Sequence, residues 1–180
     1  MFLTRRSLFS IASLTLGLAA TSAWAASQTD EAALAALRAL YEAQPQAAEL
    51  GDRAAAILVF PKIVKAGLVV GAQTGDGVLL IGGKPAAHYN ISAASYGLQA
   101  GVESFAYALF FMTESSLKYL RESGGWAVGS GPSVVVVDKS AARNFNTTTL
   151  TQDVYAFPFG FQGLMAGIGL EGSKISRISP

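Results

Sequence analysis

The sequence predicts an α+β domain: N-terminal helices packed on a strongly bent, mostly antiparallel β-sheet, with one short helix inserted near residues 114–123. Three observations carry this. Residues 27–44 put Leu34, Leu37, Leu40 and Tyr41 on one helical face. From Ala55 the texture becomes that of strands, in short apolar runs rich in branched residues. Those runs follow one another through short turns with few helices between, which pairs neighbours antiparallel as a meander or a barrel-like sheet.

Taken in order, Ser27 or Thr29 can cap the first helix, and Asp30 and Glu31 suit the positive end of its dipole. Pro45 ends it and opens a second short helix to about Arg53. The polar face of the first helix offers Arg38 against Asp30, Glu31 and Glu42, too few cations for a helix that lies on anionic lipid. It is expected to pack on the sheet instead. Ile57–Phe60 and Gly67–Ala72 read as strands, Thr74-Gly75-Asp76-Gly77 as a hairpin turn, Val78–Ile81 as a strand and Gly82-Gly83 as a second turn. Ala94–Val102 alternates, and Phe105, Tyr107, Leu109 and Phe111 then share one strand face. Thr113 caps a helix over Glu114–Ser123 that Gly124-Gly125 stops. Ser133–Val137 is an apolar strand, and Val154–Phe161, Leu164–Leu170 and Lys174–Ile178 close the chain as a meander. Pro158, four glycines and the period-two stripe Tyr155, Phe157, Phe159, Phe161 argue against a spanning helix over Val154–Leu170. Both aromatic stripes read as core, with the lining of an acyl-chain groove as the alternative.

Residues 1–25 carry the marks of a cleaved signal peptide: Arg5-Arg6, the apolar stretch Leu8–Ala20, and Ala23-Trp24-Ala25 as a small-x-small site. The expected product is one domain over residues 26–180, helical over 27–53 and mostly β over 55–180, exported to the periplasm and peripheral to the inner or outer membrane. Without Arg5 and Arg6, 11 basic residues face 12 acidic ones, a net charge of −1. That excludes the basic stripe of a nucleic-acid binder. The chain has no cysteine, hence no disulfide and no lipid anchor on a cysteine. Charged residues make up 14% against a usual ~25%, a greasy composition that fits membrane contact.

The motifs that would carry chemistry fail on inspection. Gly167-x-Gly169-x-x-Gly172 has eight residues after it, too few for a dinucleotide fold. Ser115-x-x-Lys118 lacks the partner motifs of acyl-serine enzymes, and Gly82-Gly83-Lys84 lacks the first glycine of a phosphate loop. His88 is the single histidine, reads as a strand residue near Tyr89, and has no nucleophile elbow to serve. No His, Cys and carboxylate group has metal-ligand spacing, so neither metal nor cofactor is expected.

One stretch does point outward. From Ala54 to Gly75, 22 residues hold two charged side chains, Lys62 and Lys65, directly after Phe60-Pro61. Lysine is rarely fully buried unless paired. The stretch therefore reads as two core strands joined by a cationic surface corner, with Phe60 as an apolar contact and Arg53 and Lys84 as further cations near it. A phospholipid or a membrane surface suits that corner.

The chain resembles the SYLF domain family. The residues that carry this are Leu40-Tyr41 before Pro45, Val59 to Gly67, Tyr96-Gly97-Leu98-Gln99-Ala100-Gly101, Ala108 to Met112, Gly131-Pro132-Ser133, Asp153 to Phe157, and Gly163 to Gly167. The resemblance implies lipid binding without a catalytic residue set. Eukaryotic members are associated with phosphoinositide membranes and actin assembly, and exported bacterial members with lipid binding. The expected function is non-enzymatic binding of phospholipid in the cell envelope, through Lys62, Lys65, Phe60, Arg53 and Lys84. The alternatives are an envelope interaction module that binds an unknown protein partner, and a lipid hydrolase with an unidentified site.

Overall fold

The computed structural model describes residues 12–67, 70–96, 101–137, 151–163 and 172–178. Helix α1 spans Ala12–Ala43 and runs unbroken through Ser27 and Thr29, so neither residue caps it. Its buried residues Ala33, Leu37 and Leu40 repeat at helical spacing and face the sheet. Pro45 sits at the first position of α2 (Pro45–Gly51), where a missing N–H costs nothing. The Nε2 of His88 lies 2.9 Å from Oδ1 of Asp30 and ties α1 to the sheet.

Among the described residues eight strands follow: β1 (Ala56–Gly67), β2 (Val70–Ile81), β3 (Lys84–Tyr96), β4 (Gly101–Phe111), β5 (Trp126–Ala127), β6 (Val134–Val136), β7 (Val154–Gly163) and β8 (Lys174–Ile178). They form one sheet in the order β5-β8-β3-β2-β1-β4-β7-β6. Every pairing is antiparallel except β6 with β7. Helix α3 (Glu114–Glu122) starts where the Thr113 hydroxyl accepts from the Ser116 N–H at 3.2 Å, and Gly124 follows with φ +63°. The Gly82-Gly83 turn has both glycines at positive φ, as a tight hairpin requires.

Three expectations need correction. First, the chain does not turn at Thr74–Gly77, because β2 runs straight through it. Gly75 and Gly77 serve close packing instead: a Cβ on Gly75 would stand 2.9 Å from Cγ1 of Ile63, and one on Gly77 would collide with the Phe60 ring. Second, Phe60-Pro61 makes no corner. β1 is a single strand whose register with β2 and β4 shifts between Val59 and Val64, a bulge that absorbs the proline. Third, the C-terminal strands are not a meander. β7 pairs with β4 and β8 with β3, on opposite sides of the sheet. Leu164–Leu170 lies outside the described residues.

The sheet curls. Trp126 of β5 and Phe111 of β4 have ring centroids 5.9 Å apart although their strands stand five places from each other in the sheet. Flat strands at that separation would be roughly 24 Å apart. The inner face gathers Leu58, Phe60, Ile63, Tyr89, Ile91, Phe105, Tyr107, Leu109 and Phe111, capped by Leu117 and Leu120 of α3. The opposite face carries Val59, Val78, Leu80, Phe110, Tyr155 and Phe157 against Leu37 and Leu40 of α1 and Leu50 of α2. Burial on both faces explains why the strands read as continuous apolar runs rather than clean alternation.

Candidate functional site

The bulge decides what each residue of the apolar stretch does. Before it, Val59 belongs to the helix face and Phe60 to the inner face. Two residues, Pro61 and Lys62, are spent in the bulge, after which Ile63 again faces inward. Phe60 is therefore fully buried and is not a surface contact. Lys62 is exposed. Lys65, two residues past Ile63, points inward and is only 7% exposed. Arg53 follows α2 at the other end of the sheet, and Lys84 lies at that same end, beside the Gly82-Gly83 turn and opposite Ile81. The four cations do not converge on one patch.

Where β1 ends and β2 and β4 begin, the sheet has a tip. Antiparallel register sets Ala66 opposite both Ala72 and Val102, and Val64 opposite Thr74 and Ser104. Opposed residues share a face. Val64, Ala66, Val70, Ala72 and Val102 thus continue the helix face, and all five are exposed. Val70 is 56% and Val102 64% exposed, the most of any large apolar residues described. Phe161 of β7, also part-exposed, stacks on Phe105 at 5.9 Å and adds an aromatic edge on the inner side.

Inside the tip the next register row is polar. Lys65 stands opposite Gln73 on β2 and opposite Glu103 on β4. All three are buried, and Gln73 donates from Nε2 to the Ser173 hydroxyl at 3.1 Å. Oε2 of Glu103 is buried with no hydrogen-bond partner, as is the hydroxyl of Tyr107 four residues along the same strand face. Burial, and behind it the Glu103 carboxylate, hold the Tyr107 hydroxyl well above the ordinary tyrosine value. Charge on Glu103 is thus felt deep in the curl. Among the described residues, no group of His, Cys, Asp and Glu is arranged to hold a metal ion. No described helix is long and apolar enough to cross a membrane.

Residues 92–179 match the family described as Ysc84: Las17-binding protein actin regulator, the SYLF domain. The match agrees with the SYLF resemblance read from the sequence. The SYLF match takes in β4, α3 and β5 through β8 together with the C-terminal end of β3 from Ser92, hence Val102, Glu103 and Phe161. Lys62 and Lys65 lie before it. No curated protein matches the chain. A binding role, for lipid or for protein, is what the match to this family supports.

Sequence reasoning missed the tip. Val64, Val70 and Val102 carry no local mark that sets them apart from Val59 or Val78. Only register, and the reach of α1 and α2 over the helix face, leaves them bare. The inner polar row was half visible: Lys65 stood out as a cation in an apolar run, and Glu103 did not.

Proposed function

We propose that this protein is a non-enzymatic binder of phospholipid surfaces in the bacterial cell envelope, and that it docks by the tip of its sheet. The observation that carries the reading is the exposed apolar set Val64, Val70 and Val102 on one face, with Phe161 on the inner side of the sheet and Lys62 four residues before Ala66 on the same strand. Exposed apolar groups gathered in one place mark a contact surface. Inserting the valines and Phe161 into lipid contributes roughly 1 kcal/mol each, since each is already part-buried. Lys62 adds about 1 kcal/mol on an anionic surface. Such a sum gives reversible binding, weakly sensitive to salt. An envelope location is supported by Arg5-Arg6, the apolar Leu8–Ala20 stretch and Ala23-Trp24-Ala25.

The family's description names a protein partner, and a protein partner is the second reading. Among the described residues the edge strands are β5 of two residues and β6 of three, which suit addition of a partner strand poorly. Sedimentation of the purified protein with vesicles, at low and at high salt, tests the lipid reading. Protein in the pellet at both salts supports it, and protein left in the supernatant with every lipid tested refutes it.

A further inference from the structure

The tip offers a bilayer a broad apolar surface and very little charge. Register sets its rows on the helix face of the sheet. Val64 stands opposite Thr74 and Ser104, Thr74 opposite Ser92, and Ser104 opposite Gln162. One row further out, Ala66 stands opposite Ala72 and Val102, and Ala72 opposite Ala94. Val70 continues the same face of β2 by its period of two. Ser104 is part-exposed, the others are exposed, and none of them carries a charge. The sequence between these strands, residues 68–69 and 97–100, adds none. Lys65 and Glu103 belong to the opposite face and are buried. Among the described residues the first charges on the helix face are Lys174, opposite Ser92, and Asp76, one row behind Thr74, and their signs are opposite. Lys62 lies in the bulge, two residues behind Val64.

Two attractions hold a peripheral protein on a bilayer: apolar area inserted among the lipids, and cations drawn to anionic headgroups. Here the second comes down to Lys62 and Lys174 with Asp76 opposing them, so inserted area decides. The apolar side chains of these rows are valine and alanine, which have little reach. They spread over four neighbouring strands, β3-β2-β1-β4, a width of about 14 Å at the usual strand spacing. A blunt surface of that width enters a leaflet where headgroups stand apart and leave acyl chains uncovered, as they do on a convex bilayer. A flat, tightly packed leaflet covers its chains and gives short side chains nothing to reach, whatever its charge. The polar row behind, Thr74, Ser92, Ser104 and Gln162, is uncharged and suits the headgroup level of any lipid.

We propose that the tip selects membranes by lipid packing rather than by headgroup charge, and that its target is a convex, loosely packed bilayer surface. The proposal rests on the membrane-docking reading above and adds the class of membrane to it. Apolar binding of this kind depends on curvature, whereas binding by a cationic patch depends on anionic lipid and on salt.

The test uses small sonicated and large extruded vesicles of one composition, phosphatidylcholine with phosphatidylethanolamine, and large vesicles that also contain phosphatidylglycerol. Wild type is expected to bind the small vesicles several-fold more tightly than the large ones at equal lipid, and to gain less from phosphatidylglycerol than from curvature. Lys62→Gln should keep the preference for small vesicles. Val70→Ser with Val102→Ser, at side chains 56% and 64% exposed, should lose it while circular dichroism shows a folded protein. The wild-type comparison decides by itself should that variant not fold. Equal wild-type binding to small and large vesicles overturns the packing proposal and leaves membrane docking standing. Binding that requires phosphatidylglycerol and disappears in Lys62→Gln overturns it as well, in favour of attraction by charge. Absence of binding to every vesicle overturns the docking reading and the packing proposal with it.

Discussion

Phe60 and Gly77, on adjacent strands, occupy one shared volume: a Cβ on Gly77 would stand 2.7 Å from Cε1 of the Phe60 ring, inside the 3.0 Å that real Cβ atoms keep. The glycine gives the ring its place in the inner core. Gly77→Ala is accordingly expected to destabilise the protein by about 1–3 kcal/mol through overpacking. Gly82 meets nothing within 4 Å and owes its identity to φ +56° alone, so Gly82→Asn should cost far less. Urea unfolding of the two variants checks this. Equal losses would mean that Phe60 is not packed against Gly77.

That pair also shows where the sequence could be read and where it could not. Pro45 at a helix start, Thr113 as a cap, and Gly82-Gly83 as a turn are local signals, and each stands in the structure as read. Asp76-Gly77 carries an equally strong local turn signal and lies in mid-strand, since glycine serves close approach as readily as it serves a turn. Phe60-Pro61 likewise reads as a break and is a bulge. Long-range pairing leaves no local trace, so β7 and β8 could not be assigned to opposite sides of the sheet from their own residues. At the site the same limit applies. Lys62 and Lys65 were visible as charges in an apolar run, but the bulge that exposes one and buries the other was not.

Asp153 supplies a pH-dependent clamp between β6 and β7. The Ser133 backbone N–H at 3.0 Å and the Ser133 hydroxyl at 2.9 Å both donate to one Asp153 oxygen, and these bonds hold the carboxyl below its ordinary 3.8. A carboxyl depressed in the native state contributes stability above the unfolded value and loses it as pH falls through the native one. Stability of the wild type is expected to fall below pH 3.8 more steeply than that of Asp153→Asn. Urea midpoints across an acid pH series read this directly, and parallel curves for the two proteins would contradict it.

The alkaline side has its own marker. Burial first, and the Asp52 carboxylate second, push Tyr41 up to about 12, and burial also raises Tyr89 against the opposing charges of Arg177 and Arg121. A tyrosine raised in the native state contributes stability below the unfolded value near 10 and loses it as pH climbs through the native one. Tyrosinate absorbance should therefore lag in the native protein relative to the protein in urea, and stability should decline between about pH 10 and 12. Coincident titrations in the two states would show that Tyr41 is not buried as described.

Docking of the sheet tip on lipid is tested most directly by paired tip variants. Val70→Glu with Val102→Glu places two charges on side chains that are more than half exposed, so the fold should persist by circular dichroism while vesicle binding drops by at least tenfold. Lys62→Glu should weaken binding to anionic vesicles only, and by less. Vesicle binding by a folded Val70→Glu, Val102→Glu double variant that equals the wild type would contradict the account.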